Sequence, residues 1–138
     1  MYISSIKIRN FRSAESVSVK LEKLNMLCGP NSSGKSNILR AIDAAFQDLP
    51  EDKKYIENWV RDNLSKSKLS SSAAIIVEVS FDQAPQSVYT LANEIRTRPV
   101  TYKFKATKSG NITRKLGETT LDNEGFKKLI SKFSVVYM

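Results

Sequence analysis

Histidine is absent from this sequence, and cysteine occurs once, as Cys28. Without histidine the chain has no imidazole to act as a general base near neutral pH or to ligate zinc. One cysteine cannot close an internal disulfide. Cys28 lies in a short apolar run, residues 24–28, where a packed thiol is expected instead of a reactive one. Long apolar runs are missing too, and no stretch approaches the ~20 residues that a membrane-spanning helix needs. At the N-terminus, Lys7 and Arg9 interrupt Ile3, Ile6 and Ile8 before the apolar centre of a signal peptide could form, so a cytoplasmic location is expected. No internal repeat is visible. Acidic residues are in the minority: 22 Lys and Arg against 14 Asp and Glu give a formal net charge of +8. That balance suits a polyanionic partner such as nucleic acid, and it equally suits a soluble charged surface. With 138 residues, 41% of them hydrophobic, the chain can bury one core, as a single domain or a lobe of a larger one.

What is present is concentrated in Gly29, Pro30, Asn31, Ser32, Ser33, Gly34, Lys35 and Ser36, which meet the requirements of a phosphate-binding P-loop. Two glycines at this spacing let the backbone wrap so that successive N–H groups converge on the α and β phosphates. Lys35 can then reach the β and γ phosphates, and the Ser36 hydroxyl can ligate Mg²⁺. The context agrees. Residues 24–28 read as a buried strand leading into Gly29, and Ile38, Leu39, Ala41, Ile42, Ala45 and Phe46 recur at helical spacing after Ser36. Strand, loop and helix come in the required order, with the phosphates expected at the helix N-terminus. Nucleoside triphosphate binding follows.

The rest of the chain reads as alternating strands and short helices. Residues 2–9 and 16–21 should pair as strands across a turn at Asn10, Phe11, Arg12 and Ser13. The P-loop helix should run to about Gln47 and stop near Pro50. Tyr55, Ile56, Trp59, Val60 and Leu64 form a second helical stripe, on which Trp59 is expected to be a core or docking residue. Residues 66–72 read as a polar, Ser-rich loop. Ile75, Val77, Val79 and Phe81 alternate as a strand; Val88, Leu91, Ala92 and Ile95 form a helical face; Val100, Tyr102, Phe104 and Ala106 form another strand. Lys108, Ser109, Gly110 and Asn111 then turn into a strand at residues 112–116. Phe126, Leu129, Ile130 and Phe133 mark a last helix, and residues 134–137 a final strand.

The segment Ile6-Lys7-Ile8-Arg9-Asn10-Phe11-Arg12-Ser13, then Leu24-Asn25, then the P-loop continued through Asn37, Ile38 and Leu39 with Ala41-Ile42, resembles the opening of the ABC-type ATPases that work on DNA: the SMC, RecF and OLD (overcoming lysogenization defect) proteins. The resemblance covers residues 3–46. The Ser32-Ser33 pair departs from the Asn-Gly-Ser-Gly-Lys-Ser wording of SMC-like members, and no heptad segment is present, so OLD-like ATPases are favoured. The resemblance implies an α/β P-loop NTPase fold of the ABC-ATPase type, its N-terminal lobe carrying an antiparallel β subdomain. Residues 1–48 would form the strand hairpin, P-loop and helix, and residues 49–138 the helices and antiparallel strands of an incomplete ATPase domain. It further implies ATP and Mg²⁺ as cofactors, Asn31 near the γ phosphate, Arg12 approaching the nucleotide from the first hairpin, and two heads sandwiching ATP in a homodimer. Asn37 would support the first helical turn. Defence against phage is a role the family often has.

Hydrolysis by a P-loop enzyme needs a Walker-B carboxylate at the end of a second apolar strand. Glu78 is the nearest lookalike, but it alternates with Val77 and Val79 and reads as the solvent face of a sheet. Gln83 has no spacing that supports a Q-loop role, and the ABC signature segment is absent. The chain is therefore expected to be an N-terminal fragment that binds ATP and hydrolyses it poorly alone. OLD-like proteins are expected to carry a C-terminal Toprim nuclease domain whose carboxylates hold metal. Any DNA cleavage would belong to residues beyond Met138.

Between Glu94 and Glu118 there is no acid, while Arg96, Arg98, Lys103, Lys105, Lys108, Arg114 and Lys115 are all basic. They form a candidate nucleic-acid surface that could track phosphates; a solvated sheet edge is the alternative. Three functional readings stay open: the ATP-binding lobe of an OLD-like DNA-processing ATPase, a small P-loop kinase or GTPase, and a non-catalytic nucleotide-gated interaction module. Asp122-Asn123-Glu124-Gly125 fits a GTPase Asp-x-x-Gly but is expected to open a helix.

Overall fold

Alternation of apolar and polar residues builds the longer strands, and 3.6-residue periodicity builds the helices. In the computed structural model, described for residues 2–12, 14–20, 33–68, 72–94 and 99–131 (residues 2, 14 and 33–37 in backbone only), these are β1 (Tyr2–Phe11), β2 (Ala14–Lys20), α1 (Ser33–Phe46), α2 (Lys53–Asn63), β3 (Ile75–Asp82), α3 (Gln86–Ala92), β4 (Val100–Ala106), β5 (Ile112–Leu116), β6 (Thr119–Thr120) and α4 (Asn123–Ser131). The strands form one antiparallel sheet in the order β2-β1-β3-β4-β5-β6.

Register aligns the apolar residues into rows. Val19, Ile6, Val79, Tyr102 and Leu116 are successive cross-strand partners, and so are Val17, Ile8, Val77, Phe104 and Arg114. This face is covered by the helices. α1 contributes Ala41, Ile42, Ala44 and Ala45, α2 contributes Ile56 and Val60, α3 contributes Val88, Tyr89 and Ala92, and α4 contributes Phe126 and Leu129, all buried in one core. The three alanines let the α1 backbone approach the strands closely. Its last residue, Phe46, stacks on Tyr102 with ring centres 4.8 Å apart. Trp59 meets Phe104 edge-on at 6.0 Å, the docking role that its place on the α2 stripe suggests. Each large apolar side chain buried in this layer contributes about 1.5–3 kcal/mol.

Local chemistry sets the boundaries. Asp52 caps α2 by accepting the N–H groups of Lys54 and Tyr55. Asp122 caps α4 by accepting the N–H of Gly125 at 2.7 Å, so the Asp-x-x-Gly lookalike is a helix start. Gly110 sits in the β4–β5 turn at φ +87°, where a Cβ would lie 2.6 Å from the Lys53 carbonyl oxygen. The first hairpin is tighter than expected, with β1 running to Phe11 and β2 starting at Ala14. Tyr89 takes the buried place expected of Leu91, which is half-buried, because α3 ends at Ala92 and turns its Val88 and Tyr89 side inward. A short 3₁₀ turn, Lys66–Lys68, occupies the start of the expected loop, and β6 adds a two-residue strand. The expected strands at 24–28 and 134–137, together with Ile95 and Phe133, lie outside the described residues. No helix among the described residues is long and apolar enough to cross a membrane.

Candidate nucleotide site and its surroundings

α1 begins at Ser33, which puts Gly34, Lys35 and Ser36 in its first turn. That turn contains no acidic residue. The first N–H groups of a helix have no partner within it, and the macrodipole adds a partial positive charge there, so an acid-free first turn carrying a lysine and a serine fits an anionic phosphate group. Gly29, Pro30, Asn31 and Ser32 lie outside the described residues. The other end of α1 is fixed in the core by Ala41, Ile42 and Ala45.

Arg12 stands at the tip of the β1–β2 hairpin with φ +49°, two residues after Asn10 at φ +62°. Asparagine tolerates this left-handed region, whereas for arginine it costs about 1–2 kcal/mol. Contacts with the C-terminal end of α2 hold the conformation. The Arg12 N–H donates to the Asn63 carbonyl oxygen at 2.7 Å, and its carbonyl accepts the Ser65 hydroxyl at 2.5 Å. Its guanidinium donates through Nε and Nη2 to Asn63 Oδ1 at 3.0 and 2.9 Å, while Asn63 Nδ2 donates to the Trp59 carbonyl oxygen. Asn10 Nδ2 reaches the Ala74 carbonyl oxygen, and Ser65 N–H the Asn10 carbonyl oxygen. Strained backbone that its surroundings over-determine is characteristic of functional positions. The Asn63 and Ser65 buttress has no motif of its own in the sequence.

The C-terminus of α1 is held by two side chains from the sheet. Tyr102 Oη donates to the Ala45 carbonyl oxygen at 2.6 Å. Arg114 Nη1 donates to that same oxygen and to Tyr102 Oη, each at 2.6 Å, and Nη2 donates to the Gln47 carbonyl oxygen at 2.8 Å. The guanidinium lies 3.7 Å from the Phe126 ring centre. Burial pushes the Tyr102 hydroxyl up to about 12, against the lowering effect of Arg114, so it stays a donor through the neutral range.

The expected basic ribbon therefore divides. Lys103, Lys105 and Lys115 share the outer face, where Lys103 faces Lys115 and Lys105 faces Thr113. Arg114 does not join them: it faces Phe104, and its guanidinium is engaged inside. The alternation of Ile112, Arg114 and Leu116 against Thr113 and Lys115 already carried that signal. Lys108 is half-buried in the β4–β5 turn, and Arg96 and Arg98 lie outside the described residues. Strand order brings in cations that charge clustering along the chain does not reveal, because Lys7, Arg9 and Lys20 occupy the same outer face on β1 and β2. Glu78 lies between Lys7 and Lys103 on that face, 3.9 Å from the Lys103 ammonium. It is on the opposite side of the sheet from α1. Gln83 is an exposed turn residue at φ +55°.

A family model described as AAA ATPase domain matches residues 1–137. The chain belongs to this ATPase-domain family. Over 47 residues the ATPase domain is 38% identical to the OLD nuclease of Thermus scotoductus, a match spanning 34% of this chain and 9% of that protein. Its fold is similar to a structure described under ATP-driven dimerization and DNA stimulated activation of SMC ATPases, with a TM-score of 0.68, 16% identity, and 100% of this chain and 87% of that one covered. It is also similar to the recombination mediator protein RecF bound to ATP, with a TM-score of 0.53, 18% identity, and 90% of this chain and 29% of that one covered. The α/β fold with its antiparallel sheet is similar to that of the SMC and RecF ATPase structures, and the chain is an ATPase domain.

Proposed function

We propose that this chain is the ATP-binding lobe of an OLD-like ATPase that processes DNA. The observation that carries the reading is the P-loop sequence meeting a helix whose first turn holds Gly34, Lys35 and Ser36 and no acid. Lys35 would neutralise the β and γ phosphates and Ser36 would ligate Mg²⁺, while backbone N–H groups from Gly29 to Gly34 cradle the phosphate chain. Bound Mg²⁺ would screen phosphate charge and polarise the γ phosphate for transfer. Arg12 is a further nucleotide contact in this reading, supported by the strained, buttressed hairpin tip. Hydrolysis depends on a Walker-B carboxylate, and the place of Glu78 on the sheet face away from α1 supports the reading that it is not that group.

The outer sheet face supports DNA as the polyanionic partner. Lys7, Arg9, Lys20, Lys103, Lys105 and Lys115 share it with Ser and Thr residues and with Glu78 and Asp82, a basic excess that can contact phosphates without reading sequence. For the similar SMC ATPases, dimerization is described as ATP-driven and activation as DNA stimulated; we carry both to this chain as a homodimer that closes on ATP. Nuclease activity and defence against phage come with the OLD resemblance. Mg-ATP titration of the whole protein and its Lys35→Ala variant tests the reading. The substitution should weaken binding at least about 100-fold, a loss of about 2.7 kcal/mol; equal affinities would sink the P-loop assignment. Binding without turnover in the unaltered protein would instead favour the nucleotide-gated interaction module.

A further inference from the structure

α1 lacks, in its own sequence, the charges that would stabilise its two ends. Its first turn has no acid and its last turn no base. Asp43 near its end and Asp48 just beyond it, both exposed, have the wrong sign for a helix C-terminus. Groups from elsewhere can supply both. At the N-terminus the proposed phosphates do so. At the C-terminus the Arg114 guanidinium does so, from β5.

Arg114 also has a restricted geometry. Its planar fork spans the Ala45 and Gln47 carbonyl oxygens at 2.6 and 2.8 Å, takes Tyr102 Oη as a third partner, and is stacked against Phe126. Carbonyls at a helix end have no partner within the helix, and this side chain shares the Ala45 carbonyl with Tyr102 and satisfies that of Gln47. A lysine could reach one of these oxygens but could not span them or stack in the same way. The contacts fix α1 both along its axis and in rotation. Helices transmit displacement because they are stiff: α1 has 14 residues, about 21 Å from end to end.

We propose that Arg114 is a positioning residue for nucleotide binding, holding the C-terminus of α1 so that the opposite end of the same helix lies where the triphosphate needs it. The proposal rests on the P-loop reading above. Arg114 touches no nucleotide; it acts through α1, with Tyr102 as its partner.

The test compares Mg-ATP affinity with thermal stability in the whole protein, measured well below the melting temperature. Arg114→Met should raise Kd about tenfold, and Arg114→Lys and Tyr102→Phe about threefold each, in keeping with the tolerance of about 0.5 Å within which binding groups must be held. Val88→Ala, a core truncation on α3, is the control. It should lower the melting temperature and leave Kd unchanged, because general destabilisation does not alter the affinity of folded molecules. If Arg114→Met folds and binds as tightly as the unaltered protein, the positioning role is overturned. If it does not fold, Arg114→Lys and Tyr102→Phe decide, and unchanged Kd in both overturns it. If the unaltered protein binds no Mg-ATP, the P-loop reading fails first and this one fails with it.

Discussion

The inner and outer faces of the sheet are built by the same strands, and neighbours such as Lys103 and Phe104 differ by one position in β4 and by the whole environment around them. On the inner face, Ile6, Ile8, Val77, Val79, Tyr102 and Phe104 are fully buried, and each is fixed by cross-strand partners and by a helix above it. On the outer face, Lys7, Lys103 and Lys115 lie in one row with Glu78 among them, and the side chains reach solvent. Antiparallel sheets tolerate this division because one face can remain wet. The two faces obey different constraints: volume and hydrogen-bond satisfaction dictate the inner residues, whereas charge and its spacing dictate the outer ones.

The sharpest way to break the comparison is to truncate neighbours on opposite faces. Phe104→Ala should cost about 3–5 kcal/mol through lost burial and the cavity left beneath Trp59. Lys103→Ala, one residue away, should change stability by no more than about 0.5 kcal/mol. Urea denaturation measures both, and similar costs would mean that the outer face is structural after all.

A smaller effect should appear in alkali, and it belongs to the inner face alone. The Tyr102 hydroxyl is raised from 10.0 to about 12 in the folded chain. Its contribution is therefore complete below pH 10 and disappears as pH rises towards 12, an amount of about 3 kcal/mol. Tyr102→Phe should flatten that part of the stability-versus-pH curve. An identical alkaline loss in the variant would show that other groups cause it.

The smallest stability change, with the largest change in binding, is expected on the outer face. Lys105 faces Ile76 and Thr113, so Lys105→Glu reverses a charge without placing two acids opposite each other, as Lys103→Glu would do against Glu78. Stability should stay within about 0.5 kcal/mol. Affinity for duplex DNA should fall, and the slope of log K against log salt should shrink by about 0.9 for each phosphate no longer neutralised. An unaltered slope would leave a solvated surface as the role of this face.

Much of this was legible in the sequence because it is local. The P-loop is contiguous, the strand at 75–81 alternates without interruption, and the turn at Lys108 to Asn111 announces its hairpin. Trp59 declares its face by its spacing from Ile56 and Val60. What could not be read depends on which strands become neighbours. β1 lies between β2 and β3 only because the chain crosses over through α1 and α2, and that crossover brings Lys7 and Arg9 onto the face of Lys103 and Lys105, one strand apart with Glu78 and Ile76 between them. The buttress of Arg12 by Asn63 and Ser65 is equally non-local, joining residues about 50 positions apart. Arg114 is a different case. Its parity with Ile112 and Leu116 marked it as inward-facing, but a row of basic residues drew it into the surface group.

Arg114 and Lys115 are consecutive, so one peptide unit joins a side chain that grips the end of α1 to a side chain on the outer surface. A strand cannot roll about its own axis on one side alone. Any rotation of β5 that carried Lys115 would therefore carry the grip of Arg114 on α1 with it, across the thickness of a single backbone.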